Sequence, residues 1–516
     1  MISIRYCALF ALFASLCNCD EKLRFASYYG HHMVLQKSPE RAVVWGYGPE
    51  GEQVIVSLLG PFPQTTPPVT VTQGKWNVTL DPVEAGGPYS VMATMNHCTV
   101  QLTDVLFGDV WLCGGQSNMC FQTKMVFNAT DELQLTAQYP RVRVFMTGKH
   151  QSEQEMDDLA EVQQKWSVPT TESVKEFSAV CWMFGRLMYA NLNHPVGLVL
   201  SCWGATVVET WSSTRALHQC GLDHDMLGTE NRNSRLWNAM IHPFLKMTIK
   251  GAIWYQGEAN TYVNTETYNC SFPAMIDDWR SSFHEGSGGQ TALDFPFGFV
   301  QLATGTIPNP GYRMNNEAII RWHQTADTGS APNPRMDKTF MAVAMDLPDD
   351  MSPYSSIHPR DKYTVAYRLS LGARSVAYGE KDVHFLGPYP QEITSINHSL
   401  IITYDQVVTV AASEEGFEIC CPDVKAPCSL ESPWEPAPIV GWSSNSVQVS
   451  TAACLSTHEV AAIRYAWKDQ PCNYKACSIY CAAGSLPAPP FTNTTFAITR
   501  FIVAQELKKE VEGLVL

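Results

Sequence analysis

Between Arg41 and Thr94 the chain alternates apolar and polar residues in short runs, Arg41–Trp45, Gln53–Leu58, Thr70–Thr72 and Tyr89–Thr94, separated by glycine and proline. Alternation with period two turns every second side chain to one face, so these runs predict the half-buried strands of a small β-sandwich over 20–104. From Val105 to about Tyr378 the pattern changes. Apolar runs at Asp109–Cys113, Arg141–Met146, Val196–Cys202, Gly251–Tyr255, Phe297–Leu302 and Phe340–Met345 are mostly separated by helical periodicity, as in Ser178–Leu192 and Phe272–Phe283. Strands apolar on both faces, alternating with amphipathic helices, predict an α/β unit over 105–382 whose parallel sheet is covered on both sides. After Asp382 short strands return at Ser399–Tyr404, Gln406–Ala411, Ser446–Ser450 and Val460–Ala466, and predict a second, cysteine-rich β domain over 383–516. The tail from Gln505 to Leu516 is charged and expected to fray.

The first residues obey neither pattern. Arg5 precedes an apolar run from Tyr6 to Leu16, with small residues at Ser15, Cys17 and Cys19, which predicts a signal peptide over 1–19. That run is shorter than the ~20 residues a membrane span needs, so no membrane insertion is expected. Asn-X-Ser/Thr sequons at Asn77, Asn128, Asn269, Asn397 and Asn493 point independently to the secretory pathway, secreted or lysosomal. So does cysteine usage. Of 17 cysteines, Cys7, Cys17 and Cys19 lie in the leader, and seven of the remaining fourteen crowd into Cys420–Cys481 as a candidate disulfide framework. No histidine pair accompanies Cys472, Cys477 and Cys481, so disulfides are favoured there over a zinc site.

A hydrophobic content of 45% against 16% charge excludes a disordered chain. A formal charge of −15 argues against nucleic acid and anionic membrane surfaces, both of which need a basic face. An acidic substrate would have to be held by a local arginine.

The stretch Gly108-Asp-Val-Trp-Leu-Cys-Gly-Gly-Gln-Ser-Asn-Met119 runs an apolar strand into two glycines and then a serine. Glycines allow a sharp turn, and a serine opening the next helix has backbone N–H groups beside it that can hold an oxyanion, so Ser117 is the candidate nucleophile. Met119 stands where an α/β-hydrolase elbow would carry its second glycine, which excludes that fold's strained elbow. Three more segments end predicted strands, where open α/β sheets build their sites. In Ser201-Cys-Trp-Gly-Ala-Thr206, Gly204 could offer a backbone N–H. In Trp254-Tyr-Gln-Gly-Glu-Ala-Asn260, Gln256 could donate its amide. In the loop from Asp346 to Lys362, His358 precedes a helix and is the candidate base, ahead of His31, His32 and His242.

Gly-Gln-Ser-Asn-Met (115–119), Trp-Gly with Glu-Thr-Trp (203–211), Trp-Asn-Ala-Met-Ile-His-Pro (237–243), Trp-Tyr-Gln-Gly-Glu-Ala-Asn (254–260) and Ile-His-Pro-Arg-Asp-Lys (357–362) together resemble the sialate O-acetylesterases, carbohydrate esterases of the SGNH-hydrolase type. The likeness extends to His32-Met-Val-Leu-Gln36 and Leu486-Pro-Ala-Pro-Pro-Phe491. It implies a flavodoxin-like parallel-sheet core flanked by N- and C-terminal β domains. It also implies Ser117 as nucleophile, His358 as base, and the Ser117 amide, Gly204 amide and Gln256 side chain as oxyanion donors. No cofactor or metal is implied, and the substrates would be O-acetylated sialic acids, chiefly the 9-O-acetyl ester.

One position departs from the family pattern: many relatives place an aspartate two residues before the histidine, where this chain has Ser356, preceded by Ser355. The group orienting the imidazole is then Asp346, Asp349, Asp350 or a backbone carbonyl, with Asp346 at the strand end named as candidate. Arg235, Arg280, Arg321 and Arg360 lie nearest the motifs as partners for a sialate carboxylate. A neutral acetylated polysaccharide such as acetylxylan would need none of them. A glycan-binding protein with an inactive core is the remaining alternative, and the intact Ser117 and His358 weigh against it.

Overall fold

A computed structural model describes residues 23–224, 232–305, 315–396, 398–411, 416–422, 428–429, 432–454, 460–482 and 486–493. The expected leader over 1–19, the sequon at Asn397 and the tail over 505–516 lie outside the described residues.

Strand β1, Cys98–Gly115, organises the molecule. Its first half pairs antiparallel with Gly86–Met95 of the N-terminal β layer, and its second half pairs in parallel with two core strands. The expected boundary near 105 therefore falls inside a strand. At Asp104 the chain takes a left-handed φ of 53°, and the carboxylate there is held by Arg143 Nη1 at 2.6 Å and His32 Nδ1 at 2.7 Å.

The core strands are β1, β2 (Val142–Thr147), β3 (Val162–Ser167), β4 (Val196–Cys202), β5 (Gly251–Tyr255), β6 (Phe297–Gln301) and β7 (Thr339–Val343). Side by side they run β3-β2-β4-β1-β5-β6-β7, all parallel except the edge strand β3. Every residue of β2, β4, β5, β6 and β7 is buried, as expected of strands covered on both faces. The chain leaves β1 toward β2 and β4 on one side and later returns to β5 on the other. The carboxyl end of β1 is thus a topological switch point, the crevice where open sheets of this kind bind ligands.

Four helices matter to the site: α1 (Ser117–Cys120), α2 (Ala179–Leu192), α3 (Tyr268–Gly286) and α4 (Lys362–Tyr378). Ser178 caps α2 by accepting the Cys181 N–H at 3.1 Å, and Asp361 caps α4 by accepting that of Thr364 at 3.0 Å. Neighbouring residues of β1 face opposite ways, which separates the layers. Cys113 is bonded to Cys181 of α2, against which α4 packs, whereas a side chain at Gly114 would strike Trp254, whose ring lies 5.6 Å from Trp279 of α3.

The tail returns to antiparallel β structure. Pro390–Ile396, Ser399–Tyr404, Ser446–Ser450 and Ile439–Trp442 form one sheet, and Phe417–Cys420 with its partners forms another. Three disulfides staple it, Cys420–Cys428, Cys421–Cys454 and Cys472–Cys477, while Cys481 is buried and unpaired. The expected framework is thus present except at Cys481. Among the described residues no helix is long and apolar enough to cross a membrane.

The sequons differ in access. Asn77 and Asn128 are exposed, and Asn269 is half-buried with its amide donating to Asp327 Oδ2 at 2.6 Å. Asn493 is buried in a strand paired with Ile463.

Candidate active site

Ser117 sits where β1 passes into α1. Gly115 makes this turn with φ 141°, and a Cβ there would lie 2.1 Å from the Tyr255 carbonyl oxygen, so only glycine fits. Gln116, buried beside it, donates its N–H to Tyr255 O at 3.0 Å and accepts from the Ala259 N–H at 3.2 Å through its side chain. The Ser117 turn is thereby fastened to β5 and to the loop that follows it. On the other side, the disulfide Cys120–Cys202 ties the end of α1 to the end of β4, two residues before Gly204.

His358 meets this serine. Its Nε2 lies 2.8 Å from Ser117 Oγ and its Nδ1 lies 2.7 Å from the Tyr354 carbonyl oxygen. A carbonyl only accepts, so Nδ1 carries the proton and Nε2 is left as the acceptor for the serine hydroxyl. The imidazole is held by its own loop: the His358 N–H donates to Ser355 O at 2.9 Å, and Ser352 Oγ donates to His358 O at 2.8 Å. The Phe121 ring stacks alongside with centroids 6.3 Å apart. Both ring nitrogens are accounted for by Ser117 and a backbone carbonyl.

The aspartates considered for the third position are engaged elsewhere. Asp346, fully buried, takes Arg368 through both carboxylate oxygens at 2.6 and 2.8 Å and accepts from Tyr480 OH at 3.1 Å. Asp349 binds Arg360 bidentately at 2.7 and 2.8 Å, and Asp350 is exposed, 3.5 Å from the Gln470 amide. The expectation for Asp346 is corrected accordingly: a buried guanidinium outcompetes the imidazole for it.

A Cβ on Gly204 would lie 3.4 Å from Ser117 Cβ and 4.0 Å from Ser117 N, so its backbone runs directly beside that serine. Gln256 is engaged elsewhere. It is fully buried, and its amide N–H groups go to Thr206 O at 3.1 Å and Asn260 Oδ1 at 2.7 Å, while its Oε1 accepts from Tyr268 OH at 2.9 Å. Side-chain donors engaged in this way bind the Gly204 loop to the loop after β5 rather than face an oxyanion.

Comparisons with known proteins fit this geometry. A family model described as "Carbohydrate esterase, sialic acid-specific acetylesterase" matches residues 107–352, and one described as "Sialate O-acetylesterase C-terminal domain" matches residues 391–495. The Homo sapiens protein named sialate O-acetylesterase is 48% identical over 492 residues, covering 91% of this chain and 92% of the relative. The chain belongs to the sialate O-acetylesterase family. The Mus musculus sialate O-acetylesterase is 47% identical over 517 residues, covering 91% of this chain and 94% of its own. Among solved structures, a carbohydrate acetylesterase from Xanthomonas citri superposes with a TM-score of 0.75 at 28% identity, covering 92% of this chain and all of that one.

In this sialate O-acetylesterase family member, a polar chain behind the serine was missed by sequence reasoning. Asn118, buried, donates to Glu258 Oε1 at 2.5 Å and to the Ile357 carbonyl at 2.9 Å, and accepts from Lys362 Nζ at 2.6 Å. It therefore ties the Ser117 turn to the residue before His358. Lys362 also lies 4.9 Å from the centroid of the Phe121 ring and 5.2 Å from that of Tyr255. Burial pushes Lys362 down to about 7 against the pull of Glu258, and pushes Glu258 above the usual carboxylate range despite its bond to Asn118. His358 is lowered from 6.5, chiefly by burial; the Tyr354 carbonyl opposes this and the charge of Lys362 adds to it. All three residues stand inside the motifs that carried the family resemblance, which was the available signal.

None of the four arginines expected near the substrate presents a free guanidinium. Arg235 pairs with Glu153 at 2.8 Å, and Arg280 is buried against the carbonyls of Phe295 and Asp337. Arg321 is fully buried, bonded to the Leu302, Ala303, Lys468 and Asp469 carbonyls. Arg360 is held by Asp349.

Proposed function

We propose that this protein hydrolyses O-acetyl esters of sialic acids, chiefly the 9-O-acetyl ester, through an acetyl-Ser117 intermediate in an SGNH-type core. Ser117 Oγ attacks the acetyl carbonyl carbon as its proton passes to His358 Nε2, 2.8 Å away. The resulting oxyanion accepts the backbone N–H groups of Ser117 and Gly204. Collapse expels the sugar hydroxyl, which takes the proton from the imidazolium. Water, deprotonated by the same nitrogen, attacks the acetyl-enzyme and releases acetate, restoring the Ser117 hydroxyl. The Tyr354 carbonyl holds the imidazole in the required tautomer throughout, so the base works as a dyad.

The observation that carries this reading is the Ser117–His358–Tyr354 carbonyl chain at the switch point, in a chain whose relatives bear the name sialate O-acetylesterase. Sheet order supports the SGNH assignment: with β2 and the antiparallel edge strand β3 set aside, β4-β1-β5-β6-β7 is the 2-1-3-4-5 order of flavodoxin-like folds. Six disulfides among the described residues support an oxidising compartment, and hence a secreted or lysosomal destination.

Ser117→Ala is the test. Hydrolysis of 9-O-acetyl sialic acid should fall by about 10⁴–10⁶-fold with the melting temperature unchanged. A folded mutant with near wild-type rate would remove Ser117 from the mechanism. The engagement of all four arginines favours a second reading, a neutral acetylated polysaccharide such as acetylxylan. A higher kcat/KM on acetylxylan than on the sialate ester would establish it, with the same mechanism.

A further inference from the structure

An anionic sugar entering a chain of net charge −15 needs a cation near the nucleophile, and the arginines closest in sequence are all engaged. Lys149 offers one. It follows β2, and because Met146 of β2 is the register partner of Leu200 of β4, Lys149 lies level with Trp203, three residues beyond each. Trp203 in turn donates its backbone N–H to Gly115 O at 3.0 Å, and Gly204 beside it runs against Ser117. Three adjacent parallel strands thus present Lys149, Trp203–Gly204 and Gly115–Ser117 in sequence along the edge of the sheet where the site lies. Two strand spacings separate the Lys149 backbone from the Ser117 row by roughly 10 Å.

The side chain of Lys149 is exposed, and its Nζ lies 5.7 Å from the centroid of the Trp203 ring. An indole face attracts the ammonium without neutralising it. Of the acids in the same stretch, Glu153 binds Arg235, Glu155 accepts from the Trp237 ring N–H and lies near Arg215 and His242, Asp157 and Asp158 pair with Lys75 and Arg24, and the Glu161 side chain packs at Gly148. Among the described residues no carboxylate lies within ion-pair distance of Lys149. It is therefore a cation held by an aromatic surface one strand away from the oxyanion loop.

We infer that Lys149, held over Trp203, is the specificity-determining residue that receives the carboxylate of the acidic sugar while its acetyl ester lies at Ser117. This rests on the sialate reading above.

The test compares kcat/KM on 9-O-acetyl sialic acid with that on its methyl ester, which keeps the acetyl group and loses the carboxylate charge. The wild-type enzyme should prefer the acid by about 10-fold, the lower end for a hydrogen bond to a charged group, because Lys149 is exposed. Lys149→Met should bring the ratio to about one, mainly through KM; Lys149→Arg should retain it, and Lys149→Glu should invert it. In wild type the preference should collapse at about 1 M salt, where the Debye length is about 3 Å. A wild-type ratio preserved in Lys149→Met overturns the assignment, as does a loss in that variant equal on both substrates. A wild-type enzyme that cleaves p-nitrophenyl acetate but neither sialate substrate would instead overturn the sialate reading, and this inference with it.

Discussion

Asp346→Asn separates a dyad from a triad, because the two arrangements predict losses of different kinds. Both side chains of the Asp346–Arg368 pair are nearly inaccessible, at 0% and 2% exposure, and two hydrogen bonds of 2.6 and 2.8 Å join them. Neutralising the carboxylate leaves the Arg368 guanidinium buried without its counter-charge, and breaking such a pair costs about 3–5 kcal/mol. The asparagine oxygen still accepts one of the bonds, so the lower end is expected, about 3 kcal/mol. At about 2–4 °C per kcal/mol for a unit of 150–250 residues, melting should fall by roughly 6–12 °C. The chemical step should barely change, since Asp346 does not touch His358. Had Asp346 oriented the imidazole, the same change would lower kcat about 10⁴-fold with little thermal cost. Melting by scanning fluorimetry and kcat on a 9-O-acetyl sialate, corrected for the folded fraction, decide between them. An unchanged melting temperature with a 10⁴-fold lower kcat would refute the dyad.

Gln256→Ala should cost about 1–3 kcal/mol of stability by leaving buried acceptors unpaired, with a smaller loss of kcat than the about 10²–10³-fold expected of a direct oxyanion donor; thermal melting and steady-state rates on one preparation distinguish the two. The base must be unprotonated to act, and burial lowers His358 from 6.5, so the acid limb of kcat/KM should have its midpoint below pH 6.5. Lys362→Met removes a positive charge that helps lower His358, so that limb should move upward; a pH profile in which it stays or moves down would contradict the coupling. Asn118→Ala should lower kcat more than it raises KM, because it frees the nucleophile turn from the Ile357 carbonyl without touching substrate, and matched losses in both constants would count against it.

Legibility followed burial on both faces. Val196–Cys202 and Gly251–Tyr255 were read to the residue because an uninterrupted apolar run has no other use at that length. Edge strand β3 went unread: in Val162–Ser167 only Trp166 is buried, and the polar residues around it carry no strand signature. Ser117 and Gly204 were legible as residues just past the ends of the adjacent strands β1 and β4, whereas His358 lies fifteen residues past β7, three strands from β1, and only its loop carries it back to Ser117. The roles of Asp346 and Gln256 were not legible, because each depends on which of several nearby partners wins. Arg368 sits on the helix after the base loop, and Asn260 belongs to the same motif as Gln256. Asn118 stood in plain view beside Ser117, but its three partners come from residues 140 or more positions away, which only folding selects.

Strand β1 makes the N-terminal β layer something other than an attachable module. Its 18 residues belong half to that layer and half to the centre of the catalytic sheet, with Ser117 two positions beyond its end. A chain cut to begin at residue 107 would keep the catalytic motifs yet lose the antiparallel partner of β1 along with the Val34–Gln36 strand that pairs beside Leu106–Gly108. The beam that carries Ser117 would then be anchored at one end only. Evolution could lengthen loops around this enzyme or exchange its tail, but shuffling its first hundred residues as a unit would mean rebuilding the strand on which the serine is mounted.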